Sequence, residues 1–271
     1  MKRSVTVGLA LAVFACLVPP SPSFAEEKTI RFDPLWDPAL HAAGFAGAAA
    51  SRLALEGADR ALPDPAELSG FDASLRFDYD EGLSTLSTGA SGLAILWPAL
   101  FALQGEREEI FPAAAACAEA LAMTYAAKNA MKALFPKARP YAYGGGELSA
   151  ELREEAWESF PSGHAALAFC AATSFAVLSL ELAPENPATP WLVAGGYGLA
   201  AGAGALRVLA GEHFAGDVLA GAALGSGVGW LVTRLRVSRA GAEDGGSEDE
   251  AAELKAAMRG TGPALVVRLG L

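Results

Sequence analysis

Lys132 and Arg139 stand seven residues apart at the end of an apolar stretch, and Pro140 follows the arginine directly. Two cations at the end of an apolar helix are often side chains whose charged ends reach back to water. Lysine and arginine are also the side chains that bind phosphate oxygens through charge-assisted hydrogen bonds. Taken alone, the pair leaves both interpretations open.

A second group of residues, Pro161-Ser162-Gly163-His164, directly precedes an uncharged run at 165–180. Proline, serine and glycine at the start of a helix leave backbone N–H groups free, and these groups readily bind an anion. An ordinary helix N-cap followed by an incidental histidine would explain the same residues.

The third group consists of Arg207, His213 and Asp217. If His213 and Asp217 lie on one helix, their spacing of four places them on one face, where the carboxylate can accept a hydrogen bond from a ring nitrogen. That bond would fix the tautomer of the imidazole and leave its other nitrogen as a nucleophile. A structural His–Asp pair that caps a helix is the alternative.

The segments that must position these groups are long and uncharged or nearly so. Of the 271 residues 52% are hydrophobic and 19% charged, which excludes a largely disordered chain. Thirty glycines indicate closely packed helices. The apolar stretches are 84–104, 110–127, 165–180, 188–206 and 218–233. The sequence predicts an all-α helical bundle of five or six apolar helices embedded in a membrane, with a soluble bundle as the alternative.

Connectivity brings the three groups together. In a bundle of consecutive antiparallel helices, the end of one helix and the start of the next lie on the same side. Lys132 and Arg139 follow one apolar stretch and His164 opens the next, while Arg207 closes a third and His213 opens the fourth. We therefore expect all of them at one end of the bundle, although they are far apart in sequence.

Such a cluster predicts a pocket for a tetrahedral dianion and hence phosphoryl transfer. His213 would attack phosphorus, Asp217 would orient it, and His164 would protonate the leaving oxygen. The equatorial oxygens would be stabilised by Lys132, Arg139, Arg207 and the backbone N–H groups of Ser162 and Gly163. Two histidines and one paired aspartate are a poor ligand set for a metal, so we expect no metal and no other cofactor.

Together and in this order, the motifs Lys-x6-Arg-Pro, Pro-Ser-Gly-His and Arg-x5-His-x3-Asp resemble the type 2 phosphatidic acid phosphatase superfamily. That superfamily includes lipid phosphate phosphatases, bacterial class A acid phosphatases and vanadium-dependent haloperoxidases. The resemblance spans 132–217, and it implies a phosphohistidine intermediate on His213 with His164 as acid and base. The third motif of the family usually begins Ser-Arg, whereas Leu206 precedes the arginine here, so one hydroxyl contact to phosphate is lost.

The ends of the chain predict export and a solvated tail. A basic start, an apolar run at 5–18 and the small residues Ser23 and Ala25 are typical of a signal peptide over 1–25. An uncleaved anchor and a lipoprotein processed at Cys16 are the alternatives. We expect an interfacial or loop region at 26–83, the phosphatase core at 84–239 and an acidic tail at 240–271.

Orientation follows from whether the segment 38–55 crosses the membrane. If it lies at the interface, the cleaved chain has five spans and the site faces outward; if it crosses, the site faces the cytoplasm. Arg234, Arg236 and Arg239 follow the last span, and the positive-inside rule favours the first arrangement. The sequence thus predicts a bacterial inner-membrane protein with a periplasm-facing site, with the soluble periplasm as the alternative.

The expected partner is a lipid phosphate within the membrane. Undecaprenyl pyrophosphate, phosphatidate, phosphatidylglycerol phosphate and the phosphates of lipid A are all chemically suitable substrates. The alternatives are a soluble phosphatase for small phosphomonoesters, a vanadium haloperoxidase and a non-catalytic membrane protein. A net charge of −11 argues against nucleic acid as a partner.

Overall fold

The computed structural model describes residues 28–30, 42, 44, 46, 47, 50, 61–68 and 70–239. The predicted signal peptide at 1–25 and the predicted acidic tail at 240–271 lie outside these residues. The predicted interfacial region at 26–83 is described only in part.

Helices make up most of the described chain, which confirms the predicted all-α bundle. In order, they are α1 (Gly70–Ser74), α2 (Glu81–Leu96), α3 (Arg107–Leu134), α4 (Ala150–Glu154), α5 (Gly163–Leu182), α6 (Thr189–Leu209) and α7 (Ala215–Arg236). Short 3-10 helices lie at Pro65–Glu67, Trp97–Leu103 and Pro140–Gly144. Two three-residue strands, β1 (Lys28–Ile30) and β2 (Val237–Arg239), pair in antiparallel fashion.

Five helical segments of the described chain are long and apolar enough to cross a membrane. They are Glu81–Leu103, Arg107–Leu134, Gly163–Leu182, Thr189–Leu209 and Ala215–Arg236. Large apolar side chains point away from the bundle along four of these segments, among them Leu86, Leu93, Leu103, Phe111, Trp191, Leu219 and Leu235. An outer surface of this kind would be costly in water and suits the hydrocarbon of a bilayer.

Helix α5 is the centre of the bundle and packs against the other four long helices. Its closest neighbour is α7, where Gly221, Gly225 and Gly229 recur every four residues. A methyl group added at any of the three would overlap a backbone carbonyl oxygen at the start or along the first half of α5. The absence of side chains therefore lets the two backbones touch, as the glycine content predicted.

The long helices alternate in direction, so the starts of α2, α5 and α7 lie beside the ends of α3 and α6. The opposite end of the bundle carries β1, because β1 pairs with the strand that follows α7. Ile30 belongs to an apolar cluster there with Phe101 and Leu178. The chain between Ile30 and Glu81 consequently starts and finishes at opposite ends of the bundle. Within it, helical Gly44 lies against Ala122 of α3.

Candidate active site

The first motif spans the end of α3 and the loop after it. Lys132 lies in the last turn of α3 and is buried. Its ammonium group donates to the carbonyl oxygen of Glu158 and lies 3.6 Å from a carboxylate oxygen of that residue. Arg139 immediately precedes the 3-10 helix at Pro140–Gly144, and its Nη2 donates to Glu155 at 2.8 Å. Both cations are thus held by carboxylate residues of the same loop.

Arg207 of the third motif lies buried in the last turn of α6. Its Nη1 donates to Ser87 Oγ at 3.2 Å and lies 3.5 Å from Ser84 Oγ. Both serines are on α2, about 120 residues away in sequence, so no local pattern could have found them. Leu206, which stands where the family has serine, is only half-buried. Hydroxyl groups are therefore present at Arg207, but they come from another helix.

A tight turn at Gly211 separates α6 from the nucleophile candidate. Gly211 has a φ of +69°, and a methyl group there would collide with the backbone of Phe77 and Asp78. Glycine adopts this left-handed conformation without steric cost. The turn places Glu212 and His213 at the end of the bundle, two residues ahead of α7.

The expected hydrogen bond between His213 and Asp217 is not formed, and this prediction was wrong. Helix α7 begins at Ala215, so His213 precedes the helix and does not share its face with Asp217. Instead, His213 Nδ1 lies 2.8 Å from the carbonyl oxygen of Ser159. A carbonyl oxygen only accepts, so Nδ1 carries the proton and Nε2 has the free electron pair. No hydrogen-bond partner of Nε2 occurs in the described part of the chain.

Asp217 acts on the histidine indirectly, through Ser159. Its buried carboxylate accepts from Ser159 Oγ at 2.6 Å, from the backbone N–H of Phe214 at 3.1 Å and from Lys137 Nζ at 2.9 Å. Asp217 therefore closes the first turn of α7 and fixes the residue whose carbonyl oxygen holds the imidazole. Sequence reasoning missed Ser159 and Lys137, because neither is one of the residues that define the three motifs.

His213 is buried among positive charges. Burial, followed by the charges of Arg139, Arg207 and Lys132, holds the pKa of its imidazole well below the usual value. The ring is therefore neutral at physiological pH, as a nucleophile must be. The first and third motifs meet, as connectivity predicted, because Arg139 and Arg207 both contact the carboxylate of Glu212.

The second motif lies at the start of α5. Ser162 occupies the N-cap position, but its side chain makes no capping hydrogen bond and its buried Oγ has no partner among the described residues. Gly163 leaves little space, since a methyl group there would lie 3.0 Å from Cδ of Lys128. His164 Nε2 is 3.5 Å from Thr88 Oγ1, at the limit of a hydrogen bond. Lys128 is thus a further cation beside this motif that sequence reasoning missed.

Three buried donors of the site lack a partner within the described residues. They are Ser162 Oγ, Arg139 Nε and Arg207 Nε. An unpaired buried donor is destabilising, so donors of this kind at a site favour the binding of a ligand or of water. Hydroxyl and guanidinium donors favour an oxyanion. Among the described residues, no three His, Cys, Asp or Glu side chains are close enough to hold a metal ion.

Glu212, which the sequence presented only as a spacer before the histidine, lies between the two arginines. One of its oxygens, Oε2, binds Nη1 of Arg139 and lies 2.9 Å from Nη2 of Arg207. Burial alone would raise the pKa of this carboxyl group, but the two guanidinium groups outweigh burial and hold the pKa below its usual value. Glu212 is therefore ionised in the resting site.

Comparison with known proteins identifies related sequences for this part of the chain. The family model of the PAP2 superfamily matches residues 113–240. A protein of Porphyromonas gingivalis named lipid A 1-phosphatase is 44% identical over 73 residues, which are 27% of this chain. The aligned part covers only 15% of that relative's length. All eight residues that the sequence predicted for the site lie within the family match, and the predicted resemblance is confirmed.

Proposed function

Since residues 113–240 of this chain belong to the PAP2 superfamily, we propose that the protein is a metal-independent phosphatase of membrane lipids. It would hydrolyse phosphate or pyrophosphate esters through a phosphohistidine intermediate. The observation that carries the proposal is a set of unpaired buried donors, on Ser162, Arg139 and Arg207, in the cluster that holds a neutral buried His213. These groups supply the donors and the nucleophile that phosphoryl transfer requires.

In the first step, Nε2 of His213 attacks phosphorus and the bond from phosphorus to the leaving oxygen breaks. His164 gives a proton to that oxygen, so the lipid alcohol leaves uncharged. In the second step, His164 takes a proton from water, and the resulting hydroxide oxygen displaces His213 from phosphorus. Inorganic phosphate then leaves, and both histidines return to their starting states.

The remaining residues hold the reacting groups in place. Arg139, Arg207 and Lys132 offset the negative charge on the equatorial oxygens, which is greatest when phosphorus is five-coordinate. Ser162 would donate through its hydroxyl and backbone N–H. Asp217 fixes Ser159, whose carbonyl oxygen keeps the imidazole proton on Nδ1. Donors that are held in place before substrate binds lower the barrier, because no reorganisation is needed in the transition state.

A lipid substrate is supported by the surroundings of the site. The site lies at one end of five helices of membrane length whose outer surface is apolar. A phosphate group at the surface of the bilayer could enter while its acyl chains stay in the hydrocarbon. The name of the P. gingivalis relative puts the phosphate of lipid A first among the candidate lipids.

Phosphate release from defined substrates tests the proposal. The detergent-purified protein should release phosphate from lipid A, phosphatidate or an isoprenyl pyrophosphate in mixed micelles, with lipid A preferred. A short-chain soluble phosphomonoester should be a poorer substrate at equal concentration. Release from the soluble ester alone would assign the protein to the non-specific acid phosphatases, and peroxide-dependent halide oxidation after vanadate loading would assign it to the haloperoxidases.

We propose further that the site faces the periplasm. The opposite end of the bundle carries Arg234 and Arg236, whose charges favour the cytoplasmic side. Because β1 lies at that same end, residues 28–30 would then be cytoplasmic. This placement is incompatible with cleavage after Ala25 and release of residue 26 outside the cell. In the arrangement described here, a cleaved signal peptide and a periplasm-facing site exclude one another.

Cysteine labelling decides between these two predictions. In a variant without native cysteines, cysteine at Gly146 should react with an impermeant maleimide in cells whose inner membrane is intact. Cysteine at Thr29 should react only after that membrane is permeabilised. The reverse labelling pattern would place the site in the cytoplasm and would be compatible with cleavage of the predicted signal peptide. Labelling of both from one side would contradict the placement of β1 opposite the site.

A further inference from the structure

Glu212 joins three elements of the site through one carboxylate. Its Oε2 contacts both Arg139 and Arg207, and its Oε1 accepts from Ser84 Oγ of α2 at 2.7 Å. The side chain is 7% exposed, so water contributes little to its solvation. The carboxylate therefore links the loop of the first motif, the end of α6 and the start of α2.

This contact of the Glu212 carboxylate with both arginines, the Glu212 bridge, reduces an electrostatic repulsion within the site. Two guanidinium groups that converge on one phosphate repel each other when the phosphate is absent. A negative charge shared between them removes the repulsion and keeps them close. One Nη of each arginine is used for this purpose, whereas Nε of both remains without a partner among the described residues. Donors for a phosphate are thus still available while the bridge is intact.

We propose that Glu212 is a positioning residue, which sets the distance and orientation of Arg139 and Arg207 so that both bind one phosphoryl group. The inference rests on the proposed function, because it assumes that these arginines receive the phosphate of the substrate. Glu212 itself does not touch the reacting atoms. It stays in place during turnover, and Ser84 keeps its second oxygen from rotating away.

Glu212 could instead compete with the substrate, and that role predicts the opposite change in the affinity for phosphate. A carboxylate on two arginines could be a resident anion that substrate must displace. Its removal would then increase the affinity for phosphate. If Glu212 positions the arginines, its removal lowers that affinity, because the guanidinium groups separate.

Binding of orthovanadate, a phosphate mimic, distinguishes the two roles. Affinity is measured from the vanadate-dependent rise in melting temperature of the detergent-solubilised protein, which needs no turnover. Glu212→Gln keeps the size of the side chain and should weaken vanadate binding about tenfold or more. Glu155→Gln is the matched control: it removes the same charge from Arg139 alone, and its half-exposed carboxylate should change binding by no more than about twofold.

Tighter binding by Glu212→Gln would overturn the proposal in favour of a displaced anion. Equal weakening by both variants would also overturn it, since the total charge rather than the bridge would then matter. If Glu212→Gln does not fold, Ser84→Ala is the second variant. It removes the hydroxyl that donates to Oε1 and lies 3.5 Å from Nη1 of Arg207, and it should weaken vanadate binding about threefold. Unchanged binding there would reject the role. A wild-type protein that binds vanadate but hydrolyses no phosphate ester would disprove the proposed function and leave this comparison valid.

Discussion

Replacing His213 with alanine is expected to lower kcat at least about 10³-fold with every phosphate substrate. The imidazole is the nucleophile in the proposed mechanism, and its Nε2 has the free electron pair because Nδ1 donates to the carbonyl oxygen of Ser159. Since His213 carries no charge in the resting site, its loss should leave the arginines in place. We therefore expect vanadate still to bind to the variant, although more weakly.

His164→Ala provides the matched comparison, because it removes the second histidine of the same site. His164 is expected to act on the leaving oxygen, so its loss should slow hydrolysis of a lipid alkyl phosphate much more than that of 4-nitrophenyl phosphate. The nitrophenolate ion leaves without being protonated. Measurement of kcat for both substrates with both variants separates the two roles. Equal losses of His164→Ala on the two substrates would contradict the assignment of His164 as the acid.

Asp217→Asn is expected to have the second-largest effect, on stability and activity together. The carboxylate accepts from Ser159 Oγ, Lys137 Nζ and the N–H of Phe214. An amide of the same size has one accepting oxygen, so its NH₂ group must face at least one of these donors. Leaving a buried donor without its acceptor costs about 1–3 kcal/mol. We expect a lower melting temperature and, because a neutral amide holds Ser159 less firmly than an ionised carboxylate does, a kcat about 10²-fold lower.

Lys137→Met tests the contribution of the ion pair between Lys137 and Asp217 separately from the other contacts of Asp217. It removes one donor to Asp217 and leaves the bonds from Ser159 and Phe214 in place. Partial burial lowers the pKa of Lys137, but its hydrogen bonds to Asp72 and Asp217 outweigh burial and raise the pKa above its usual value. The ammonium group is therefore charged throughout the physiological range. The methionine variant should lose less than about tenfold in kcat. A loss as large as that of Asp217→Asn would mean that the lysine, rather than Ser159, orients the histidine.

The bundle and the location of its site could be predicted because both depend on features that persist along the chain. Uncharged stretches of membrane length predict helices, and consecutive antiparallel helices bring Lys132, His164 and Arg207 to one end wherever the exact boundaries fall. The predicted helices 110–127 and 165–180 extend further in the structure, to Arg107–Leu134 and Gly163–Leu182. These differences place Lys132 inside α3 without moving it away from the site.

The partners of the site residues could not be predicted in the same way. The spacing of His213 and Asp217 suits a shared helix face. However, a left-handed turn at Gly211 ends the preceding helix and α7 begins only at Ala215, after His213. The histidine consequently turns to Ser159, from a loop more than fifty residues earlier in the chain. The serines of α2 and the bridge through Glu212 likewise depend on how distant helices pack. A sequence periodicity carries no information about such contacts.

The central claim is that a phosphoryl group passes from a membrane lipid to His213. It is tested most directly by rapid acid-free quenching of the enzyme during turnover of a lipid A substrate labelled with ³²P in the phosphate that is removed. The account predicts a protein-bound label that is stable to alkali, labile to acid, located on the peptide containing His213 and absent from His213→Ala. Undiminished phosphate release by His213→Ala, or a label on any other residue, would contradict it.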